Sequence, residues 1–232
     1  MQMEIRPAAA RGQANHGWLY SQHSFSFAHY YDRRHMGFGP LRVINEDKVA
    51  PGRGFLPHHH QSMEILSYVI SGALEHKDTL GNGSVIRPGE VQLMSAGRGI
   101  QHSEMNGSTQ EEVHFLQIWI LPRSARSAPR YDQRLFEPTP GEGLRLVVSP
   151  TGREGSLRID QDMDLHRLLL DAQGQAQLDP RGPRAWVQVI KGSLQVNGAA
   201  LKAGDGLAIE GAEQLSLSAG AEGVEALVFD LP

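Results

Sequence analysis

The chain has 232 residues, enough for one large β domain or two small ones with a real core. Its 40% hydrophobic and 21% charged content is ordinary for a soluble globular protein, and its net charge of −4 offers no basic field for direct nucleic-acid binding. The absence of cysteine excludes disulfides, thiolate zinc sites and cysteine nucleophiles.

The first residues, Met1 to Pro7, lack the apolar stretch of a secretory signal. No later run approaches the roughly 20 apolar residues of a membrane helix. No membrane contact and a cytoplasmic location are therefore expected. Gly and Pro punctuate short β-branched or alternating runs, the pattern of an all-β sandwich or barrel. From His23 to Asp32, Phe and Ser alternate, which predicts a strand with one apolar face. His16, His23 and His29 read as hydrogen-bonded structural histidines. A short strand is predicted at Leu41–Asn45.

A strand follows from Glu64 to Ile70, with a turn at Ser71-Gly72 and a return from Ala73 to Asp78. Leu80-Gly81-Asn82-Gly83 and Pro88-Gly89-Glu90 are turns. Val91–Met94 and Glu112–Leu121 are further strands. Residues 122–143, rich in Pro, Arg and Ser, read as the connection between two domains, with Arg130-Tyr131-Asp132 partly packed.

Two pairs of metal-type side chains flank the central stretch: His58 with His60, and His102 with Glu104. On a strand, residues i and i+2 share a face and lie roughly 6.5–7 Å apart. Two neighbouring strands can thus aim four side chains at one point, while His59 has the opposite parity and points away. Three imidazoles and a carboxylate suit a borderline divalent transition metal. A run of three histidines alone is equally well a solvated loop. The second pair, one hairpin further along, favours a built site whose occupancy falls below a pH of roughly 6, because imidazole must be neutral to bind.

The second half repeats the first. Val69–Leu74 matches Val189–Leu194 at an offset of 120, and Arg87–Glu90 matches Lys202–Asp205 at an offset of 115. This predicts a duplicated β domain, divided into residues 1–133 and 134–232. Ten of the eleven histidines precede residue 115. At these offsets His58, His60, His102 and Glu104 fall on Leu178, Pro180, Leu217 and Ala219, so the second copy is expected to hold no metal.

His58-x-His60-x3-Glu64 with Gly72, followed by Gly99-x2-His102-x3-Asn106, resembles the two motifs of a cupin β-barrel. Met36–Gly39, Leu41–Asn45, Gly89–Glu104 and the early His-Ser-Phe-Ser-Phe-Ala stretch are similar to the pirin family of bicupins, especially bacterial members described as quercetin 2,3-dioxygenases. The likeness spans the whole chain. It implies an all-β bicupin with one divalent metal in the N-terminal cupin, held by His58, His60, His102 and Glu104. Iron(II) is the first choice, with Ni, Co, Mn, Cu and Zn as alternatives. Many other cupins use the carboxylate at Glu64 instead, and Glu64 shares the parity of His58 and His60 if the strand is unbroken. The pirin pattern favours Glu104 as ligand, with Glu64 beside the site or at the surface.

The resemblance implies a dioxygenase that opens a flavonol such as quercetin with O₂, with Glu104 as the catalytic base for the 3-hydroxyl. Its partners would be a small aromatic substrate and O₂. The alternative is a non-enzymatic transcriptional co-regulator, or a partner of metabolic enzymes, in which the metal is structural or redox-active and a protein partner is engaged. A cupin isomerase is a third reading, since fold alone does not choose.

Overall fold

The computed structural model describes residues 1–139 and 141–232. In chain order its strands are β1 (Gln2–Arg6), β2 (Gly12–Asn15), β3 (Leu19–His23), β4 (Leu41–Val49), β5 (Gly54–His60), β6 (Glu64–Ser71), β7 (Leu74–Asp78), β8 (Gly83–Ile86), β9 (Glu90–Ser95) and β10 (Ile100–Asn106). There follow β11 (Val113–Ile120), β12 (Arg130–Leu135), β13 (Gly143–Ser149), β14 (Leu157–Arg158), β15 (Asp164–Leu170), β16 (Gln175–Leu178), β17 (Arg184–Val196), β18 (Ala199–Lys202), β19 (Gly206–Glu210) and β20 (Leu215–Leu231). Among the described residues, no helix is long and apolar enough to cross a membrane.

Two compact units result. One contains residues 12–137 with Ile159–Gln161, and the other contains Met1–Arg11, 138–158 and 162–232. The expected division between residues 133 and 134 falls inside β12, which pairs with β9 along its whole length. The first eleven residues belong to the second unit because β1 pairs antiparallel with β19 from Gln2 to Arg6, satisfying an edge strand.

In the first unit a seven-stranded sheet, ordered β12-β9-β6-β11-β4-β3-β2, faces a four-stranded sheet, ordered β5-β10-β7-β8. Alternation puts Leu19, Val49, Val69, Val113 and Phe115 of one sheet against Leu74 and Ile86 of the other. The predicted return from β6 to β7 crosses between these sheets. Gly72 makes the corner at φ +78, where a Cβ would meet the Glu112 carbonyl oxygen at 2.6 Å. Only glycine suits both demands.

Two predicted elements change. β4 runs on to Val49, and the Phe/Ser stretch after His23 is not a strand. There Ala28 turns the chain at φ 51, and Phe27 and Tyr30 exchange backbone hydrogen bonds. The Ser26 hydroxyl donates to the Asp32 carbonyl at 2.9 Å and accepts from the Asp32 N–H at 2.8 Å. These local side-chain bonds displace the ladder that alternation predicted. Within the expected connection, Arg130–Leu135 forms β12, and Tyr131 packs into the first unit.

The second unit is built on one nine-stranded sheet whose long strands β17 and β20 bend through register shifts. Gly192, the counterpart of Gly72, again has positive φ, +74. Leu217 and Ala219 are buried in its apolar core, and Leu178 packs against it. The positions corresponding to three of the four candidate ligands thus supply hydrocarbon.

Candidate metal centre

The strand pairing brings the three histidines together, while Glu104 lies outside the group of convergent ligand atoms. β5 and β10 are antiparallel neighbours, with His102 opposite His58 and Ile100 opposite His60. Ring centroids of His58, His60 and His102 lie 4.5 to 4.9 Å apart. One nitrogen from each falls within 4.8 Å of the others. His59 is exposed, as its parity requires. Among the described residues no second group of this kind occurs.

The donor nitrogens are prepared for a cation. His58 Nδ1 lies 2.8 Å from the Leu56 carbonyl oxygen. A carbonyl only accepts, so Nδ1 carries the proton and Nε2 keeps its lone pair. His102 is 1% exposed, and its Nε2 is buried without a hydrogen-bond partner. An orphaned buried nitrogen facing two other imidazoles is costly unless an electrophile is bound there. Burial, then the neighbouring imidazoles, depresses His60 to about 4 and His102 to about 3. Both rings are therefore neutral at physiological pH, the form that ligates.

Glu104 is also buried and lines the same cavity. A register shift between His102 and Glu104 places it opposite Phe55. Gln117 Nε2 donates to Glu104 Oε2 at 2.5 Å, and the Ser67 hydroxyl lies 3.0 Å from both Glu104 Oε1 and Gln117 Oε1. The single Ser67 proton serves one of these acceptors at a time. These partners belong to a polar row: His23, Asn45, Gln117, Ser67 and Gln92 stand opposite one another across β3, β4, β11, β6 and β9. His23 is hydrogen-bonded to Asn45 at 2.8 Å, the structural role expected for it, whereas His16 and His29 are exposed.

Glu64 does not join the cluster. β5 stops at His60, Ser62 turns at φ 50, and Glu64 begins β6 in the other sheet. There it is buried and accepts from the Ser95 hydroxyl at 2.8 Å. Desolvation raises it to about 7. The broken strand removes the shared parity that would have made it a ligand.

His58 and His60 open onto a cavity of about 830 Å³. Its apolar walls include Trp18, Phe27, Phe55 and Trp119, with Trp119 edge-on to His60 at 4.9 Å. Asp47 lines its polar end at 4% exposure, and its Oδ1 has no hydrogen-bond partner. Desolvation, reinforced by the nearby charges of Glu104 and Glu46, pushes Asp47 up to about 7. Neither Asp47 nor His76, which touches His102, was singled out from the sequence. For His76 the signal was present: His76-x-Asp78 has the same i, i+2 spacing as the ligand pairs.

Family comparisons agree with this architecture. The model described as Pirin matches residues 4–120, and that described as Quercetinase C-terminal cupin domain matches residues 146–231. A quercetin 2,3-dioxygenase of Escherichia coli is 49% identical over 230 residues, covering 98% of each chain. A pirin-like protein of Caulobacter vibrioides is 37% identical over 94% of each chain. The crystal structure of the Escherichia coli bacterial pirin YhhW in complex with nickel(II) superposes with a TM-score of 0.95 at 47% identity, covering 100% of this chain and 99% of that one. With both cupin halves matched, and three histidines converging in the first, this chain belongs to the pirin family.

Proposed function

We propose that this protein is a metal-dependent dioxygenase that opens flavonols such as quercetin with O₂. The observation that carries the reading is the buried, unpartnered Nε2 of His102 beside the rings of His58 and His60, two rings that line a cavity with aromatic walls. The relatives named quercetin 2,3-dioxygenase support it. His58, His60 and His102, with Glu104, would hold one divalent ion, with iron(II) first and nickel, cobalt, manganese, copper and zinc as alternatives. A bound ion would supply Lewis acidity and open positions for small ligands. The metal-holding role falls to the first unit, and the second contributes stability.

The chain's own groups suit such a substrate. Trp18, Phe27, Phe55 and Trp119 offer flat apolar surface to an aromatic ring system. Glu104, held at Oε2 by the Gln117 amide and with the Ser67 hydroxyl within reach of Oε1, is the base for the flavonol 3-hydroxyl proton.

Oxygen uptake with quercetin tests the reading, comparing iron-loaded protein, apoprotein and His60→Ala at equal concentration. A rate confined to the loaded wild type is expected. Equal rates in all three would defeat the enzyme and leave the co-regulator reading. Glu104→Gln should lower metal affinity or turnover at least tenfold more than Glu64→Gln, on the order of 1.4 kcal/mol in difference.

A further inference from the structure

His102 touches a fourth imidazole on its other edge. Its Nδ1 lies 3.5 Å from Nδ1 of His76, and His76 Nε2 lies 3.0 Å from Oδ2 of Asp78. The side chains of His76 and Asp78 are both 0% exposed. These two residues share a face of β7, next to β10, where Asp78 stands opposite His102 and His76 opposite Glu104. Tyr131 stacks on the His76 ring at 4.6 Å.

The order of protons follows from the end of the chain. Asp78 also accepts from the Leu80 N–H, the Asn82 N–H and the Asn82 amide. Burial alone would raise its pKa, but the hydrogen bonds from Asn82 and His76 outweigh it and hold the carboxyl below its usual range. An ionised carboxylate only accepts, so His76 Nε2 carries a proton. In the neutral ring, His76 Nδ1 is then an acceptor, and His102 Nδ1 must be the donor. That leaves His102 Nε2 with its lone pair toward the cluster. His58 differs, because its proton goes to a neutral backbone carbonyl.

We propose that Asp78, His76 and His102 form a hydrogen-bonded relay that fixes the His102 tautomer, with the proton on Nδ1 and the lone pair of Nε2 toward the cluster. His76 is thus a positioning residue behind the centre and not a ligand. It stands outside the group of convergent nitrogens and meets the opposite edge of the His102 ring. A carboxylate acting through an imidazole draws the Nδ1 proton away and shifts electron density to Nε2. The relay rests on the reading of the cluster as a metal centre.

The test measures nickel(II) affinity by chelator competition in wild type, His76→Leu and His76→Gln, with melting temperature as the check on folding. Two-bond proton–nitrogen NMR reads the His102 tautomer in the apoprotein and in the zinc-loaded protein. His76→Leu is expected to weaken nickel binding 10–100-fold. His76→Gln, whose carbonyl can accept from His102, should recover most of that loss. Wild-type His102 should carry its proton on Nδ1 with and without metal. A folded His76→Leu variant with wild-type affinity would overturn the relay, as would equal losses in both variants or an Nε2-protonated His102 in the wild-type apoprotein. If His76→Leu does not fold, the wild-type tautomer still decides. Wild type that takes up no nickel would instead sink the metal reading, and the apoprotein tautomer would judge the relay separately.

Discussion

At the residue scale, protons and cations compete for the same imidazole lone pairs. An unperturbed imidazole would place metal release near pH 6. Desolvation, with the mutual repulsion of the clustered rings, depresses His60 to about 4 and His102 to about 3. Release on acidification is therefore expected below pH 6. Metal analysis after equilibration from pH 7 to 4 checks this, and half-loss at or above pH 6 would contradict it. The same shifts govern the apoprotein's stability. A histidine with a depressed folded value contributes stability present above about 6.5 and lost as pH falls toward 4 or 3. Asp47 and Glu64 are both raised to about 7, so their stability is present below about 4 and lost as pH rises toward 7. The two pairs oppose one another between about pH 4 and 6.5, flattening the wild-type profile. Asp47→Asn removes one falling component, so stability should then rise with pH by on the order of 1–2 kcal/mol across that window. Urea unfolding at three pH values tests it, and parallel profiles for variant and wild type would refute it.

At the element scale, close backbone approach holds β5 against β10. A Cβ on Gly54 would meet the Glu104 carbonyl oxygen at 2.3 Å and Met105 Cα at 2.5 Å. Gly54→Ala must therefore pry apart the strands carrying His58 and His102. The expected cost is about 1–3 kcal/mol of stability together with weaker metal binding. Gly192→Ala is the control in the second unit, where φ is +74 and a Cβ would meet the Gly223 carbonyl oxygen at 2.1 Å. It should lower the melting temperature but leave metal affinity per folded chain unchanged. Weakened metal binding in Gly192→Ala, or none in a folded Gly54→Ala, would reverse this assignment.

At the scale of the whole molecule, the two units differ in what fills their interiors. In the first unit, His102 and Glu104 sit on the inner face beside a polar row. In the second, the corresponding Leu217 and Ala219 complete an apolar cluster with Val187, Val189 and Val228. One metal per chain is expected by elemental analysis, and two would contradict it. Leu217→Ala should cost about 2–5 kcal/mol while leaving metal content per folded chain unchanged.

The sequence by itself determined what depends on local periodicity and spacing. The i, i+2 rule put His58 and His60 on one face and turned His59 outward. The repeat, read with the histidine distribution, located the centre in the first copy. Only the tertiary structure decided what depends on partners distant in the chain. Glu64 left the site because the turn at Ser62 carried it into the other sheet. His76 came behind His102 because β7 is the second neighbour of β10. β1 went to the second unit because the free edge of β19 needed hydrogen bonds. Residues 24–30 turned because local hydrogen bonds satisfied backbone groups that alternation had assigned to a ladder. Alternation states which side chains share a face. Which faces meet is set by burial and by backbone hydrogen bonds between segments that no local pattern connects.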